Sequence, residues 1–450
     1  MAHFSGYRRV ASLACAVCLW HANPASAMGL LQAYEAALQN DPQYQSAVSE
    51  YQAGQQYAKL GRASLLPTAQ YVYSNSHNQA DSTAPNFFGQ PVTTHPDYKS
   101  VTSTISVRQP LFNLDALARY RQGKAQTAYS GAQFASRSQD VMVRLMVAYG
   151  DAKFAEEQLR LYTAQRDTFA EQMQVNNRMF EKGEGTKTDM LETQAKLDVS
   201  DARVIEATDN LVTARDTLGA MLGQQVTQLD GLANDFSVMP LSPAGFDEWK
   251  SNASSQNAEI AAARFELEAA EQEVNKSRAG HMPRLNLNAS YSRSKSDSLI
   301  NLDREATVRS IGVQLVVPLY AGGYVDALTS QALARRDKAQ ADLDAATNKV
   351  MIELHRQYSA VQNSLAKINA LQKSVSSATL LVQATQQSVK GGQRINLDVL
   401  NAQQQRVAAE LELTKARYGY LIGLLKLRMA AGTLNPDDLR AVAAQFSAAD

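Results

Sequence analysis

The residues from Tyr324 to Lys390 form the longest stretch of the sequence without a glycine or a proline, about 67 residues in all. As a single α-helix at 1.5 Å per residue, this stretch would be roughly 100 Å long. Apolar residues recur along it at every seventh position, at Leu354, Val361, Ile368, Val375, Val382 and Val389. A seven-residue apolar repeat requires helical partners and favours a left-handed coiled coil. The chain is therefore organised around long paired helices rather than around one compact core.

A second rod has the same character. Apolar residues follow alternating four- and three-residue spacings from Val141 to Phe180, and only Arg166 and Asn176 interrupt this seam. Each rod ends at a glycine-containing turn, after which a shorter helix with the same period returns. The sequence therefore predicts two antiparallel helical hairpins, with helices over residues 113–181, 186–223, 324–390 and 396–430.

Short segments of alternating apolar and polar residues precede each rod. We predict strands at about 68–76, 100–109, 284–293 and 307–317. About ten residues with one apolar and one polar face is the pattern of transmembrane β-strands. Outside the N-terminal segment, no apolar run approaches the ~20 residues of a membrane-spanning helix, so we expect any membrane insertion to depend on these strands.

The order of predicted elements occurs twice, which indicates an internal repeat. Gln109-Pro110-Leu111-Phe112 matches Val317-Pro318-Leu319-Tyr320, and Thr188-Asp189-Met190-Leu191 matches Leu397-Asp398-Val399-Leu400. We expect the tail to be weakly ordered after Asp438. The predicted divisions are a signal peptide over 1–27, a first repeat over 28–223, a connector over 224–250, a second repeat over 251–432 and a C-terminal tail over 433–450.

The N-terminal segment has the features of a secretory signal. Arg8 and Arg9 precede an apolar run, and Ala25-Ser26-Ala27 offers small residues for cleavage. Both cysteines, Cys15 and Cys18, lie inside this segment, so the mature chain would form no disulfide and no thiolate metal site. Loss of the two arginines leaves 42 basic against 44 acidic residues. This balance gives no support to nucleic-acid binding, which usually requires a concentrated basic surface.

Four strands cannot close a transmembrane barrel. Unpaired backbone groups in lipid cost several kcal/mol each, and known barrels begin at about eight strands. We therefore expect several copies to share one barrel. A homotrimer would supply twelve strands and would arrange the helices of six repeats into a second cylinder.

These features resemble the TolC-like outer-membrane factors, the outer-membrane channels of type I secretion and multidrug efflux systems. The resemblance extends from Leu30 to about Leu439 and is carried by Asn40-Asp41-Pro42, by Gln109 to Phe112, by Val317 to Gly323, by Gly392 to Ala402 and by Gly432 to Asn435. It implies a membrane α+β fold, in which a long antiparallel coiled-coil α-helical barrel continues a transmembrane β-barrel completed by a homotrimer, with four strands per chain. This conduit would sit in outer-membrane lipid and cross the periplasm. Its closed inner end would meet a periplasmic adaptor and an inner-membrane ABC or proton-driven transporter.

The resemblance also implies a gate at the closed end, where the two glycine turns lie. Positions matching Arg394, Asp398, Thr188 and Asp189 belong to the network that keeps this entrance shut. In a trimer, Asp398 would form a ring of three carboxylates that narrows the pore and attracts cations. Arg394 stands four residues before Asp398, so it would pair with it on one helical face or reach a neighbouring subunit. TolC has a second Asp where this chain has Asn401, which suggests weaker blockage by cations.

A simpler interpretation of Thr188 and Asp189 is helix capping, because side-chain oxygens at a helix start accept hydrogen bonds from free amides. The sequence contains no familiar catalytic motif, and the four mature histidines lack ligand spacing. We therefore expect no enzyme activity, no cofactor and no metal site.

Three functions remain open. The first is a channel for type I protein secretion, with a polar lumen formed by Thr102, Thr104, Asn286, Asn288 and Ser290. The second is the outer-membrane component of a multidrug efflux system. The third is a periplasmic coiled-coil scaffold or adaptor that never enters the membrane, for which the strands would form an ordinary surface sheet.

Overall fold

A computed structural model describes residues 27–233, 236–296 and 304–447. Apart from Ala27, the predicted signal peptide with Cys15 and Cys18 lies outside the described residues. So do the last three residues of the predicted tail. The helices of the described part are α1 (Leu30–Asn40), α2 (Pro42–Gly54), α3 (Tyr57–Ala63), α4 (Leu114–Glu181), α5 (Lys187–Leu222), α6 (Phe246–Gln256), α7 (Ala258–Arg278), α8 (Tyr324–Lys390), α9 (Asn396–Ala430) and α10 (Pro436–Ala443).

The two long helices, α4 and α8, contain 68 and 67 residues. Each is followed by a tight turn and by an antiparallel partner, α5 or α9, so the chain forms two helical hairpins. The observed ends of all four helices lie within one residue of those expected from the heptad pattern. Within the part of the chain that is described, no helix combines the length and the hydropathy needed to cross a bilayer.

Four strands, β1 (Thr68–Gln79), β4 (Asp97–Phe112), β6 (Arg284–Ser296) and β7 (Arg304–Val316), form one antiparallel sheet in the order β1-β4-β6-β7. Two short strands, β2 (Ser82–Pro85) and β3 (Pro91–Thr94), pair with each other between β1 and β4. The observed strands extend beyond most of the predicted ends. The outer part of β1, Asn75 to Gln79, is polar on both faces, so apolar alternation does not reveal it. Among the described residues, β1 and β7 each pair along one side only, so the sheet has two open edges.

The register separates an apolar face from a polar one. One row across the sheet contains Tyr71, Ile105, Tyr291 and Arg309, and the row below it contains Ala69, Val107, Ala289 and Ile311. Side chains alternate between faces, so Thr104 and Ser292 lie on the opposite face, where their hydroxyl oxygens are 2.8 Å apart. On the apolar face, Ile311 is 77% exposed and Leu315 is 62% exposed. A single chain therefore leaves large apolar side chains in contact with solvent.

The main hydrophobic core lies where the two halves of the chain meet, around the middle of α4, the middle of α8 and the end of α9. Leu354, Leu421 and Leu425 are fully buried there. The hydroxyl of Tyr149 lies 2.9 Å from the carbonyl oxygen of Met28 and 3.0 Å from that of Asp230. Burial raises the pKa of Tyr149, so the hydroxyl stays protonated and remains a donor to these chain segments.

The break between α1 and α2 is stabilised by a helix cap. The side chain of Asp41 accepts a hydrogen bond from Gln43 N at the start of α2, and Pro42 occupies the first helical position. The same carboxylate lies 2.6 Å from the guanidinium of Arg144 on α4, and its side chain is only 3% exposed. One residue therefore both starts α2 and fixes the helix against the long rod.

The expectation of a weakly ordered tail after Asp438 is wrong for the described residues. Asn435 and Asp438 form a capping box that starts α10. Leu439 and Val442 are fully buried against the main core. Strand β8 (Phe446–Ser447) then pairs with β5 (Gly231–Leu232). The burial of these two apolar side chains holds this region in place. Two residues in a short segment are too few to show a periodic pattern in the sequence.

We expect the substitution Gly432→Ala to lower stability markedly. Gly432 has a φ of +74°, and an added Cβ would lie 2.5 Å from the backbone of Gln256 and Asn257. A left-handed conformation costs an alanine about 1–2 kcal/mol, and the clash adds roughly 1–3 kcal/mol. Thermal unfolding followed by circular dichroism measures this loss.

Gly392→Ala is the matched control, because Gly392 has a φ of +71° and no atom within 4 Å of an added Cβ. It should cost about 1–2 kcal/mol or less. Equal unfolding midpoints for the two variants would contradict the role assigned to the contact between Gly432 and the start of α7.

Candidate functional site

The ends of the two helical hairpins lie side by side. The α4–α5 turn contains Gly183 with a φ of +77°, and the α8–α9 turn contains Gly392 with a φ of +71°. Only glycine adopts this conformation at little cost, so these residues fix the points where the long helices reverse. Direct hydrogen bonds from Asn396 to Asn176 and from Lys196 to Asn401 bring the starts of α5 and α9 together at one end of the molecule.

Asp398 lies in the first turn of α9 and is half-buried. Its position at the N-terminus of a helix favours a negative charge. Arg394 is exposed and precedes the first helical residue, Asn396. The helical four-residue spacing therefore does not apply to Arg394 and Asp398, and among the described residues no ion pair joins them. Of the two expectations for Arg394, pairing on one helical face is not realised in this chain, and contact with a neighbouring subunit remains a prediction.

Asp189 takes part in a capping box at the start of α5. Its backbone N donates to Thr186 Oγ1 at 3.1 Å, and its Oδ2 accepts from Thr186 N at 3.4 Å. Thr188 is exposed and lies outside this cap. The capping interpretation therefore holds for Asp189, but the partner residue is Thr186 rather than Thr188. Asp189 still has an exposed edge, because the turn lies at the tip of the hairpin.

Asn401 binds the neighbouring hairpin. Lys196 Nζ on α5 donates to Asn401 Oδ1 at 2.9 Å and to Gln404 Oε1 at 3.1 Å. A second aspartate at position 401 would make this contact an ion pair with Lys196. In this chain the amide keeps the hydrogen bond and removes the charge.

A buried polar cluster that sequence reasoning did not identify lies one turn above these residues. Asn176 on α4 is 4% exposed, and its Nδ2 donates to Thr193 Oγ1 on α5 at 2.7 Å. Its Oδ1 accepts from Asn396 Nδ2 on α9 at 3.2 Å and from Gln172 Nε2 at 3.0 Å. Asn176 therefore joins three helices from both hairpins. The sequence contains a signal, since Asn176 interrupts an apolar seam, but its partner on the other hairpin, Asn396, is 220 residues away.

These contacts can hold two helix ends together, and they have no features of a catalytic or metal site. Within the described ranges, no group of three His, Cys, Asp or Glu side chains is placed to hold a metal ion. A hydrogen bond of this kind contributes about 0.5–1.5 kcal/mol net. The two hairpin ends are thus held together by a few polar bonds of modest strength, in contrast to the apolar core further along the helices.

Comparison with known proteins matches the chain to the family model described as "Outer membrane efflux protein", over residues 33–224 and 249–433. The chain is 42% identical over 424 residues to the alkaline protease secretion protein AprF of Pseudomonas aeruginosa, covering 94% of this chain and 88% of AprF. It is 40% identical over 452 residues to the proteases secretion protein PrtF of Dickeya chrysanthemi, covering 98% of this chain and 96% of PrtF.

Solved structures share the fold. The CmeC outer membrane channel of Campylobacter jejuni superposes with a TM-score of 0.78 at 16% identity, covering 93% of this chain and 90% of that one. The outer membrane protein VceC of Vibrio cholerae superposes with a TM-score of 0.75 at 18% identity, covering 90% of this chain and 96% of that one. The membrane α+β fold class, with helical hairpins continuing a β domain in two repeats, is confirmed by these neighbours.

We expect the double variant Lys196→Met and Asn396→Ala to loosen the tip, because it removes the hydrogen bonds that join α9 to α4 and α5 there. Three bonds of about 1 kcal/mol each, weakened by partial exposure, predict a roughly 5- to 20-fold faster local opening. Amide hydrogen exchange of residues 172–200 and 396–404, measured by mass spectrometry, reports this rate.

Lys187→Met is the matched control. Lys187 begins α5, carries the same charge as Lys196 and has no hydrogen bond or ion pair among the described residues. Exchange in this variant should equal that of the parent chain. If the double variant also exchanges at the parent rate, the polar contacts do not hold the hairpins together.

Proposed function

Because the chain belongs to the outer membrane efflux protein family, we propose that it is the outer-membrane exit channel of a type I protein secretion system. The observation that carries this proposal is 40–42% identity, over nearly the whole chain, to two proteins named for the secretion of proteases. The chain is an outer-membrane protein of channel fold that extends into the periplasm. Its relatives are named as secretion and channel proteins rather than as enzymes, and we expect no enzymatic activity from this chain.

The sheet supports a trimeric channel. In the described part of the chain, its two open edges present unpaired backbone groups, which are not tolerated in lipid. Three copies joined edge to edge, β7 of one to β1 of the next, form a closed cylinder of twelve strands without any edge. The exposed apolar face, which includes Ile311, Val313 and Leu315, then contacts lipid. Tyr71, Tyr73 and Tyr291 lie at the upper limit of this band, where aromatic side chains suit the membrane interface.

The opposite face of the sheet supports a polar lumen. Thr102, Thr104, Asn288 and Ser290 lie on this face, together with the serines and glutamines of the neighbouring rows. Asn286, also expected in the lumen, is 1% exposed because it lies where the sheet meets the helices. Arg108, opposite Asn288, adds a positive charge near the helical end of this face. The other polar groups named here are neutral and bind passing side chains weakly, which suits a duct that exports chains of varied sequence.

The hairpin tips support contact with two partners. In the proposed trimer, six hairpin ends converge at the inner end of the helical cylinder, far from the sheet. A periplasmic adaptor and an inner-membrane transporter of the ABC type would meet the channel there. The polar contacts at this end are strong enough to keep the entrance closed, and weak enough for a partner to replace them with its own hydrogen bonds.

We assign the gate itself to Asp398, Arg394, Asn401, Thr188 and Asp189. Asp398, at the start of α9, forms a ring of three carboxylates around the axis. Arg394 is free of an ion pair within the described part of its own chain, and it is exposed. It therefore reaches an acidic group of the adjacent subunit, with the exposed edge of Asp189 as its partner.

Replacing both Asp398 and Arg394 by alanine should raise the single-channel conductance in planar bilayers and lower the selectivity for cations, because the ring and its cross-links are lost. The control replaces Lys338 and Asp342, an exposed ion pair near the start of α8, by alanine. This control makes the same change in charge far from the tip and should conduct like the parent. Unchanged conductance in the Asp398 and Arg394 variant would remove the gate assignment.

Multidrug efflux remains the second candidate, and the description of the matching family favours it. The third candidate, a periplasmic scaffold that never enters the membrane, is excluded by family membership. Efflux and protein secretion use the same kind of duct, so the wall and the gate fit both. The two differ in the transporter at the inner end, which only a functional assay identifies.

Deletion of the gene in its own host separates the candidates. For type I secretion, we expect an extracellular protease to disappear from the medium and to return when the parent chain is supplied in trans. Sensitivity to dyes and detergents should change little. The gene for the double variant of Asp398 and Arg394 should restore export at most in part. Normal secretion combined with strong dye sensitivity would assign the chain to efflux instead.

A further inference from the structure

The first strand hairpin extends well beyond the described part of the second strand hairpin. The described pairing of β6 with β7 ends at Ser296 and Arg304, and Ser296 lies opposite Ser100 of β4. Beyond this row β1 and β4 continue for three more pairs, to Gln79 and Asp97, and β2 and β3 then continue for four pairs. At ~3.3 Å per residue, the tip of the hairpin lies about 35 Å beyond the last shared row.

The tip is an ordered turn that exposes two aromatic rings. Asn86 Oδ1 accepts from Phe88 N and from Gln90 N, each at 3.0 Å, and Gly89 takes a φ of +76°. Phe87 is 98% exposed and Phe88 is 83% exposed. Their rings meet edge to face, with centroids 5.7 Å apart. The turn therefore holds both side chains outward in a fixed arrangement.

Full burial of a phenylalanine side chain contributes about 1.5–3 kcal/mol. Two rings that an ordered turn holds in water lack this stabilisation. Such an exposed apolar patch is typical of a surface that is covered in the functional assembly. The segment from Ser82 to Thr94 contains no Asp, Glu, Lys, Arg or His. Charged residues begin directly below it, at Asp81 and His95.

We propose that the Phe87–Phe88 tips of three copies meet on the threefold axis and narrow the outer mouth of the channel, without sealing it against small ions. The inference rests on the trimeric channel proposed above. A cylinder of twelve strands, spaced ~4.8 Å and tilted ~40°, has a circumference of roughly 75 Å and a radius of about 12 Å. The hairpin between Asp81 and Phe87 is about 20 Å long at ~3.3 Å per residue. It is therefore long enough to reach the axis from the wall.

A bend position is present at the base of this hairpin. Regular pairing stops after Gln79 and Asp97 and resumes at Ser82 and Thr94. Within the gap, Ala80 N donates to Pro96 O at 3.1 Å. Pro96 itself has no N–H to offer the ladder. Because the regular strand pairing is already interrupted in this gap, the hairpin can lean inward here while the strand pairs on both sides of the gap keep their hydrogen bonds.

Copies of the same tip are the occupant that the chemistry favours. At a threefold axis each side chain meets its own equivalents, so charged groups would repel one another, and this segment carries none. Six phenyl rings can pack edge to face with no polar group left unpaired. The anionic headgroups of the outer leaflet would instead call for basic residues, which the segment lacks.

Cysteine cross-linking tests the proposal directly. The mature chain is predicted to contain no cysteine, so Phe88→Cys introduces the only thiol. Under mild oxidation, we expect disulfide-linked dimers of the assembled channel, because disulfide formation requires Cβ atoms about 3.5–4.5 Å apart. Ser82→Cys, at the base of the same hairpin, is the control. Equivalent wall positions around a threefold axis at this radius are about 20 Å apart, so this control should remain monomeric on denaturing gels.

A fluorescence measurement separates the rival occupants. Phe88→Trp places a tryptophan at the tip, while Trp249 is fully buried in the helical part. If the tips meet on the axis, lipids with brominated acyl chains should leave this fluorescence unchanged. Quenching by these lipids would show that the tips lie in the membrane and would overturn the proposal. Absence of cross-links from Phe88→Cys would also overturn it.

Both variants are scored for trimer formation and for protease secretion in the same cells. A trimer that secretes but gives no cross-link contradicts only the narrowing of the outer mouth. If the parent chain itself forms no trimer and does not support secretion, the channel function proposed above is contradicted. As a third readout, Phe87→Ser combined with Phe88→Ser should raise the conductance of the Asp398→Ala and Arg394→Ala background at least twofold. In this background the outer constriction is the main remaining resistance to ion flow. An unchanged conductance would contradict the proposal.

Discussion

The unpaired edges of the four-stranded sheet are the constraint on which the rest of the structure depends. Strands β1 and β7 each present a row of backbone donors and acceptors along one side, among the described residues, and the apolar face between them is exposed. Neither feature is stable in isolation, since open edges pair with other chains and apolar faces seek cover. Edge-to-edge assembly satisfies both at once. The duplicated layout then follows, because each strand pair has to be continued by one helical hairpin of matching width.

Stability is distributed unevenly along the molecule. Around Leu354, Leu421 and Tyr149, apolar side chains from both halves of the chain are fully buried. Near the tip the hairpins touch through Asn176, Asn396 and Lys196, and these contacts are polar. Polar bonds of about 1 kcal/mol each exchange with water or with a partner at little net cost, whereas an apolar core does not. The hairpin ends can therefore separate while the middle of the molecule stays packed.

The sequence predicted most of the fold because its strongest signals are periodic. Seven-residue spacing determines α4, α5, α8 and α9 almost to the residue. Strand length was less well predicted, since the outer part of β1, from Asn75 to Gln79, is polar on both faces and shows no alternation. The tail was predicted wrongly because Leu439 and Val442 are too few to form a period. At the tip, positions were predictable but partners were not. Asn176 is recognisable in the sequence because it interrupts an apolar seam. Its hydrogen bond to Asn396 is not, because it depends on how two hairpins that are distant in sequence pack together.

The two ends of the proposed channel would be constricted by opposite kinds of contact, and this difference follows from what opens each of them. At the inner end, the proposed gate residues would make directional bonds through carboxylate, guanidinium and amide groups, and a specific protein partner would recognise and replace these bonds. At the outer end no partner protein is required, because Phe87 and Phe88 carry no directional group. A passing chain can part such a contact, and the rings re-form it afterwards without a fixed register. A polar lock within the periplasm and an apolar constriction outside are thus the arrangement expected when opening is controlled from one side only.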